Sequence, residues 1–227
     1  MKYIIPVVVL LIGVSFSDAA TAQTRAENIA QCDSNDLNVR IKGCTALINT
    51  ANETTAVLVA AYNNRGGAYT DTHQYDKAIP DLDQAIHLNP NSSQSYHNRA
   101  LAYSGMSQYQ RAIADFDEAI RLKSDYATAY ENRGAVYGSL KQYDKAIADE
   151  ETAIRLAPND AKAYYNRGTA YIGSQQYDKA IADYDNAIRL NPNYTSAYKA
   201  RGTVKQHIGD SEGGEADLAK AKELGLK

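Results

Sequence analysis

The sequence predicts an all-α fold, a solenoid of antiparallel helix pairs stacked in series. Three observations predict it. Columns of identical residues recur every 34 positions, each unit carries two apolar-periodic stretches joined by a short polar link, and the aromatic content is lopsided, with 18 Tyr, 2 Phe and no Trp in 227 residues. Such a bias marks one structural role copied many times. The charge balance is nearly even, 24 Lys+Arg against 27 Asp+Glu for a net −3, so nothing indicates a nucleic-acid surface. With 44% hydrophobic and 22% charged residues, the chain is neither a disordered polyelectrolyte nor a multispanning membrane protein.

The first element is a leader. Lys2, the apolar run from Ile4 to Val14 and the small-residue end Ala20-Thr21-Ala22 have the form of a secretory signal peptide over residues 1–22, cleaved before Gln23. The run falls short of the roughly 20 apolar residues a membrane span needs, so no stable insertion is expected after cleavage. Export to a periplasmic or secreted location makes a disulfide the default reading of the only two cysteines, Cys32 and Cys44. Two thiols without a nearby His do not make a metal site.

The period sets in at residue 59. Tyr62, Tyr96, Tyr130, Tyr164 and Tyr198 are 34 apart, as are Arg65, Arg99, Arg133, Arg167 and Arg201. Gly66, Ala100, Gly134, Gly168 and Gly202 form a small-residue column on the first stretch; Ala78, Ala112, Ala146 and Ala180 form one on the second. Each stretch is long enough for three or four helical turns, and Asn89-Pro90-Asn91 and Asn191-Pro192-Asn193 halt a helix and start a turn between units. Glycine in mid-helix costs about 1 kcal/mol relative to alanine. Its recurrence opposite the Ala78 column therefore points to close helix approach, with tyrosines filling the space around it. Pro80 stands where its counterparts are Ala114, Ala148 and Ala182, so a kink is expected there.

These columns resemble the tetratricopeptide repeat family, over residues 59–227. Four units (59–92, 93–126, 127–160, 161–194) are followed by a degenerate fifth unit and C-terminal cap over 195–227. The resemblance implies a right-handed superhelical solenoid. Tyr stands where the family usually has a leading Trp, Arg where it usually has Leu, and Glu150 occupies the column of Leu82, Phe116, Tyr184 and Leu218. Shifting back one period puts residues 23–58 on the grid as a degenerate N-terminal hairpin. Cys32 then falls on the Gly66 column and Cys44 on the Ala78 column, which brings the sulfurs together.

Each Arg of the period recurs with an Asp sixteen residues on, Asp81, Asp115, Asp149, Asp183 and Asp217. We read these as a ladder of inter-helix ion pairs, which Glu150 joins through Arg133 or Arg167 unless it faces a ligand. No nucleophile, metal or phosphate-loop constellation occurs; His73, His87, His97 and His207 sit in different units. The chain is expected to be no enzyme and to carry no cofactor.

Binding remains. In the resembled family the first helices line a concave groove that holds an extended peptide or a partner helix. Asn64, Asn98, Asn132 and Asn166, one per unit, look like the asparagine ladder of O-linked N-acetylglucosamine transferases. An amide can donate to a peptide C=O while accepting from an N–H, so the column either grips peptide backbone or satisfies backbone between packed helices. Selectivity is expected from neighbours that vary: Asn63, His97, Glu131, Tyr165 and Lys199, or Gly67, Leu101, Ala135, Thr169 and Thr203. The expected partner is a protein or peptide of unknown identity. The alternatives are a self-associating structural module and an accessory subunit of an envelope complex.

Overall fold

The computed structural model describes residues 16–225, with side chains from residue 24. The leader expected over residues 1–22 thus lies outside the described residues up to residue 15; the first helix, α1, opens at Phe16. Six hairpins follow one another: α1 (Phe16–Cys32) with α2 (Leu37–Ile48), α3 (Thr55–Asp71) with α4 (Tyr75–Leu88), α5 (Ser93–Gly105) with α6 (Tyr109–Leu122), α7 (Ala127–Ser139) with α8 (Tyr143–Leu156), α9 (Ala161–Gly173) with α10 (Tyr177–Leu190), and α11 (Thr195–His207) with α12 (Ser211–Gly225). Among the described residues no helix is long and apolar enough to cross a membrane.

Local chemistry sets the ends. Asp36, Thr54, Ser92 and Asp160 cap helices by accepting from backbone N–H groups of the first turn. Asn89 and Asn191 accept from the N–H two residues on, so the Asn-Pro-Asn links close as side-chain-assisted turns. Within the five hairpins from α3 onward, one turn position is left-handed: His73, Ser107, Lys141 and Gln175 at φ 58 to 62°, and Gly209 at 96°. The following N–H reaches back five residues, as from Gln74 to the Tyr69 carbonyl, which satisfies the helix end. Pro80 does not end α4; it sits on the exposed side of the helix.

The core is thin and made mostly of alanine. Ala61, Ala129, Ala163 and Ala197, with Ser95 in the same column, are fully buried, as are Ala78, Ala112, Ala180, Ala85, Ala119, Ala153 and Ala187, or nearly so. Small side chains let the two helices of a hairpin close up. A Cβ on Gly66 would lie 2.6 Å from the Leu82 side chain, so the space in front of that glycine is already filled. One large side chain per unit fills the gap so formed, Leu82, Phe116, Glu150 and Tyr184 in turn.

The tyrosine bias has a specific use. Arg99, Arg133 and Arg167 each lie over the rings of the tyrosines three before and four after on their own helix, at 5.4 to 5.9 Å. Each Arg of the period grips its Asp with two parallel hydrogen bonds, Arg65 to Asp81, Arg99 to Asp115, Arg133 to Asp149, Arg167 to Asp183 and Arg201 to Asp217. The third guanidinium nitrogen crosses to the preceding unit, meeting Asp83, Asp117 and Asp185 from Arg99, Arg133 and Arg201. One side chain thus locks a hairpin and the seam behind it.

Successive first helices touch (α1–α3, α3–α5, α5–α7, α7–α9, α9–α11), whereas no two second helices do among the described residues. A stack held together this way bends with its first helices on the inner side. At its start, Cys32 and Cys44 are joined by a disulfide, with Cα atoms 4.5 Å apart. The bond links the end of α1 to the middle of α2, in a hairpin that, among the described residues, has a neighbour on one side alone. Reduction is expected to loosen that hairpin by about 3 kcal/mol while the later units hold. Amide hydrogen exchange should then rise over residues 24–48 alone; unchanged exchange would show the bond to be dispensable.

Candidate functional site

The inner face is where the sequence places its candidate binding residues. It carries two clefts. One, of about 180 Å³ between α3 and α5, is polar and lined by Arg40, Asn63, Asn64, Asp71, Asn98 and Leu101 among others. The larger, of about 360 Å³, is mostly apolar and lies among α7, α8 and α9, with Ala135, Gly138, Tyr143, Ala146, Tyr165 and Thr169 on its walls and Glu150 at depth.

Three of the four ladder asparagines are tied to the unit before them. Asn64 donates to the Cys32 carbonyl and to Asp33, Asn98 to the Asn63 side chain, and Asn132 to His97 Nε2. Asn98 and Asn132 thereby spend one N–H each, leaving a second N–H and the carbonyl oxygen of their hydrogen-bonding capacity. Asn166 lines the larger cleft.

The varying neighbours divide into two classes. Asn63, His97 and Glu131 are buried in the seams between units, Tyr165 is half-buried against the rings of Tyr184 and Tyr194, and Lys199 is exposed. Burial holds the His97 imidazole below its usual pKa, so it accepts the Asn132 N–H in neutral form. The second set, Gly67, Leu101, Ala135, Thr169 and Thr203, is turned outward: Ala135, Thr169 and Thr203 are exposed, and Gly67 and Leu101 border the smaller cleft.

Glu150 does not join the Arg–Asp ladder. Arg133 and Arg167 are taken by Asp149 and Asp183, and Glu150, at 1% exposure, has no hydrogen-bond partner on either oxygen. Glu131, at 2% exposure, sits 3.3 Å from the Lys162 ammonium through Oε2, with Oε1 unpartnered. Burial, then the neighbouring Glu131 charge, pushes the Glu150 carboxyl up to about 9, against the pull of Asn166 and Lys162. The Glu131 carboxyl is raised too, by burial first and then by Asp160. At neutral pH the floor of the cleft therefore holds a proton.

Motif-by-motif reading picks out Glu150 in a column of Leu, Phe and Tyr but misses the pair, because Glu131 looks unremarkable in its own helix. The signal lies in reading two columns together. In the flanking units these positions hold ring pairs, His97 with Phe116 and Tyr165 with Tyr184, at 5.6 and 5.7 Å between centroids. In the unit between them both rings are replaced by carboxyls.

Among the described residues no group of three or more His, Cys, Asp or Glu side chains is placed to hold a metal ion. The geometry is that of a binding surface with one unusual chemical feature.

Family models described as tetratricopeptide or TPR repeat match residues 59–92 and 161–194, 82–114, 106–141 and 127–160, and so run without a gap from 59 to 194. No match is found among curated proteins. Among solved structures, MamA 41-end from Desulfovibrio magneticus RS-1 is 26% identical with a TM-score of 0.68, over 74% of this chain and 96% of that one. A MamA RS-1 double mutant is 25% identical with a TM-score of 0.68, over 74% and 95%. YrrB, described as a TPR protein with an unusual peptide-binding site, shares the fold at 20% identity with a TM-score of 0.63, over 81% and 93%. With its period matched across more than half its length and its solenoid shared with these structures, the chain belongs to the tetratricopeptide repeat family.

Proposed function

We propose that the protein is a non-enzymatic interaction scaffold whose inner face holds an extended segment of another polypeptide. The observation that carries this is the continuity of that face. First helices line it from end to end, an asparagine stands on it in each of four successive units, and two clefts open along it. Amides fixed at regular intervals suit backbone recognition, which is indifferent to side chains, and the clefts supply selectivity. YrrB lends support as a protein of the same fold described as binding peptide. Self-stacking is less well supported. Among the described residues the exposed large apolar side chains, Val39, Met106 and Ile208, lie in different hairpins and make no common patch. The Cys32–Cys44 disulfide suits a protein that matures in an oxidising compartment, so the proposed setting is periplasmic or secreted.

A displayed library of extended nonapeptides panned on the immobilised protein tests the reading. Selected peptides should lose about tenfold in affinity when Asn98 and Asn132 are both changed to Ala, from two lost backbone contacts at about 1 kcal/mol each less what rearrangement recovers. Thermal unfolding measured alongside separates the roles. A fall in stability with affinity intact would leave the asparagines a packing role, and no bound peptide at all would overturn groove binding.

A further inference from the structure

The larger cleft exists because the unit spanning residues 127–160 departs from its neighbours at several places at once. Where the preceding unit has Leu101 and Ser104 on the wall, this one has Ala135 and Gly138, and a Cβ on Gly138 would meet nothing within 4 Å. Where the preceding unit seats Phe116, this one has Glu150, with Glu131 in place of His97. The result is an open, mostly apolar cleft that reaches Glu150, whose two carboxyl oxygens are buried without a hydrogen-bond partner, with the likewise unpartnered Glu131 Oε1 buried in the adjoining seam. Unpaired buried carboxyls oppose folding, so a stacked ring pair would serve the solenoid better.

We propose that this cleft receives a lysine side chain of the bound polypeptide, its aliphatic stem against Ala135, Ala146 and Tyr165 and its ammonium at the unpartnered carboxyl of Glu150. The inference rests on the groove reading above and names what the groove selects. Charge supports it once Glu150 gives up its proton: Lys162 already meets the Glu131 charge, so a Glu150 carboxylate is left without a counter-ion, which one lysine supplies. Donor number favours lysine over arginine, since an ammonium brings three N–H groups on a flexible stem to one buried carboxyl, whereas a guanidinium brings five in a rigid fork, most of which would be left unsatisfied at depth. An apolar side chain would leave the oxygens dry and unpaired, and an acidic one would be repelled.

Entry of the ammonium requires Glu150 in its charged form. The groups facing it are Glu131 from α7, Asp149 from α8, held by Arg133, and Asp160, Lys162 and Asn166 at and before α9. Since the empty cleft holds a proton on Glu150, binding releases it, and affinity for lysine rises as pH increases from 6 to 8.5.

The test uses capped nonapeptides of Ala, Ser and Asn with a central Lys, Arg, N-acetyl-lysine or norleucine, titrated by calorimetry, and n-butylammonium followed by NMR of the alanine methyls. The lysine peptide is expected to bind at least about 30-fold more tightly than the norleucine and acetyl-lysine peptides. The preference should vanish in Glu150→Gln, Glu150→Leu and Ala135→Leu, the last restoring the wall of the preceding unit. Norleucine binding should be flat with pH where lysine binding is not. Arginine binding as well as lysine would overturn the assignment of the occupant. Peptides that bind without regard to the central residue would overturn the cleft and leave the groove reading standing. Should no peptide bind while n-butylammonium still shifts Ala135 and Ala146 in a Glu150-dependent way, the groove reading falls and the cation cleft is upheld; if neither binds, both fall.

Discussion

Replacing Glu150 with leucine is expected to make the protein more stable, most of all above neutral pH. The side chain is 1% exposed and unpartnered, and burial pushes its carboxyl from 4.5 to about 9. Between those values the folded protein holds a proton that the unfolded chain has shed. Stability must therefore fall as pH rises through the window, and the loss is complete only above about 9. The ceiling is about 1.4 kcal/mol per pH unit; with water reaching the open cleft, about 2 kcal/mol in total between pH 5 and 8 is a reasonable expectation. Glu131 adds to the slope in the same sense, and the lowered His97 pKa opposes it. Comparison of variant with parent isolates the Glu150 part. Leucine suits the place because Leu82 fills the same position against Gly66. Urea unfolding at pH 5 and pH 8 should show Glu150→Leu gaining about 2 kcal/mol at the higher pH and much less at the lower. A loss at both would mean that the carboxyl is satisfied in a way the structure does not display.

A larger effect of opposite sign is expected from Arg133→Leu. This guanidinium makes two bonds to Asp149, which is 6% exposed, one to Asp117 across the seam, and two ring contacts with Tyr130 and Tyr137. Its removal strands a buried carboxylate, which typically costs about 3 to 5 kcal/mol. Asp117 is half-exposed and loses little. The urea midpoint should drop accordingly, and the double variant Arg133→Leu, Asp149→Leu should recover most of the loss, because no charge is then left behind. A single variant within 0.5 kcal/mol of the parent, on the order of surface changes, would show the ladder to be ornamental.

The hairpins, the Arg–Asp pairs and the Cys32–Cys44 bond are legible in the sequence for one reason. Each is carried by residue identity at a fixed spacing, and a period that recurs four or five times leaves little freedom of register. The seam and the groove are harder to tell apart. Positions four apart on a helix differ by only about 40° in direction, yet Glu131 is buried in the seam while Ala135 is exposed on the inner face. The asparagine column shows the same difficulty, since its bonds to Asn63 and His97 run to residues 35 positions earlier. Glu150 is the sharpest case. Its column marks it as out of place, but the Arg it was expected to join, Arg133 on α7, is taken by Asp149 next door, and it takes Glu131, also on α7, to show that the whole layer differs from the rest.

Three of the seams, finally, share one design. Asp83–Arg99, Asp117–Arg133 and Asp185–Arg201 repeat one junction, so α6 carries on its far side the same acceptor that α10 does. A chain shortened by residues 127–160 would bring Asp117 opposite Arg167 and Asn166 opposite His97, a splice the surviving hairpins already know how to make. The carboxyl-bearing unit is thus expected to be removable as a cassette, so that recombination within such a gene adds or deletes the proposed selectivity element without redesigning what flanks it.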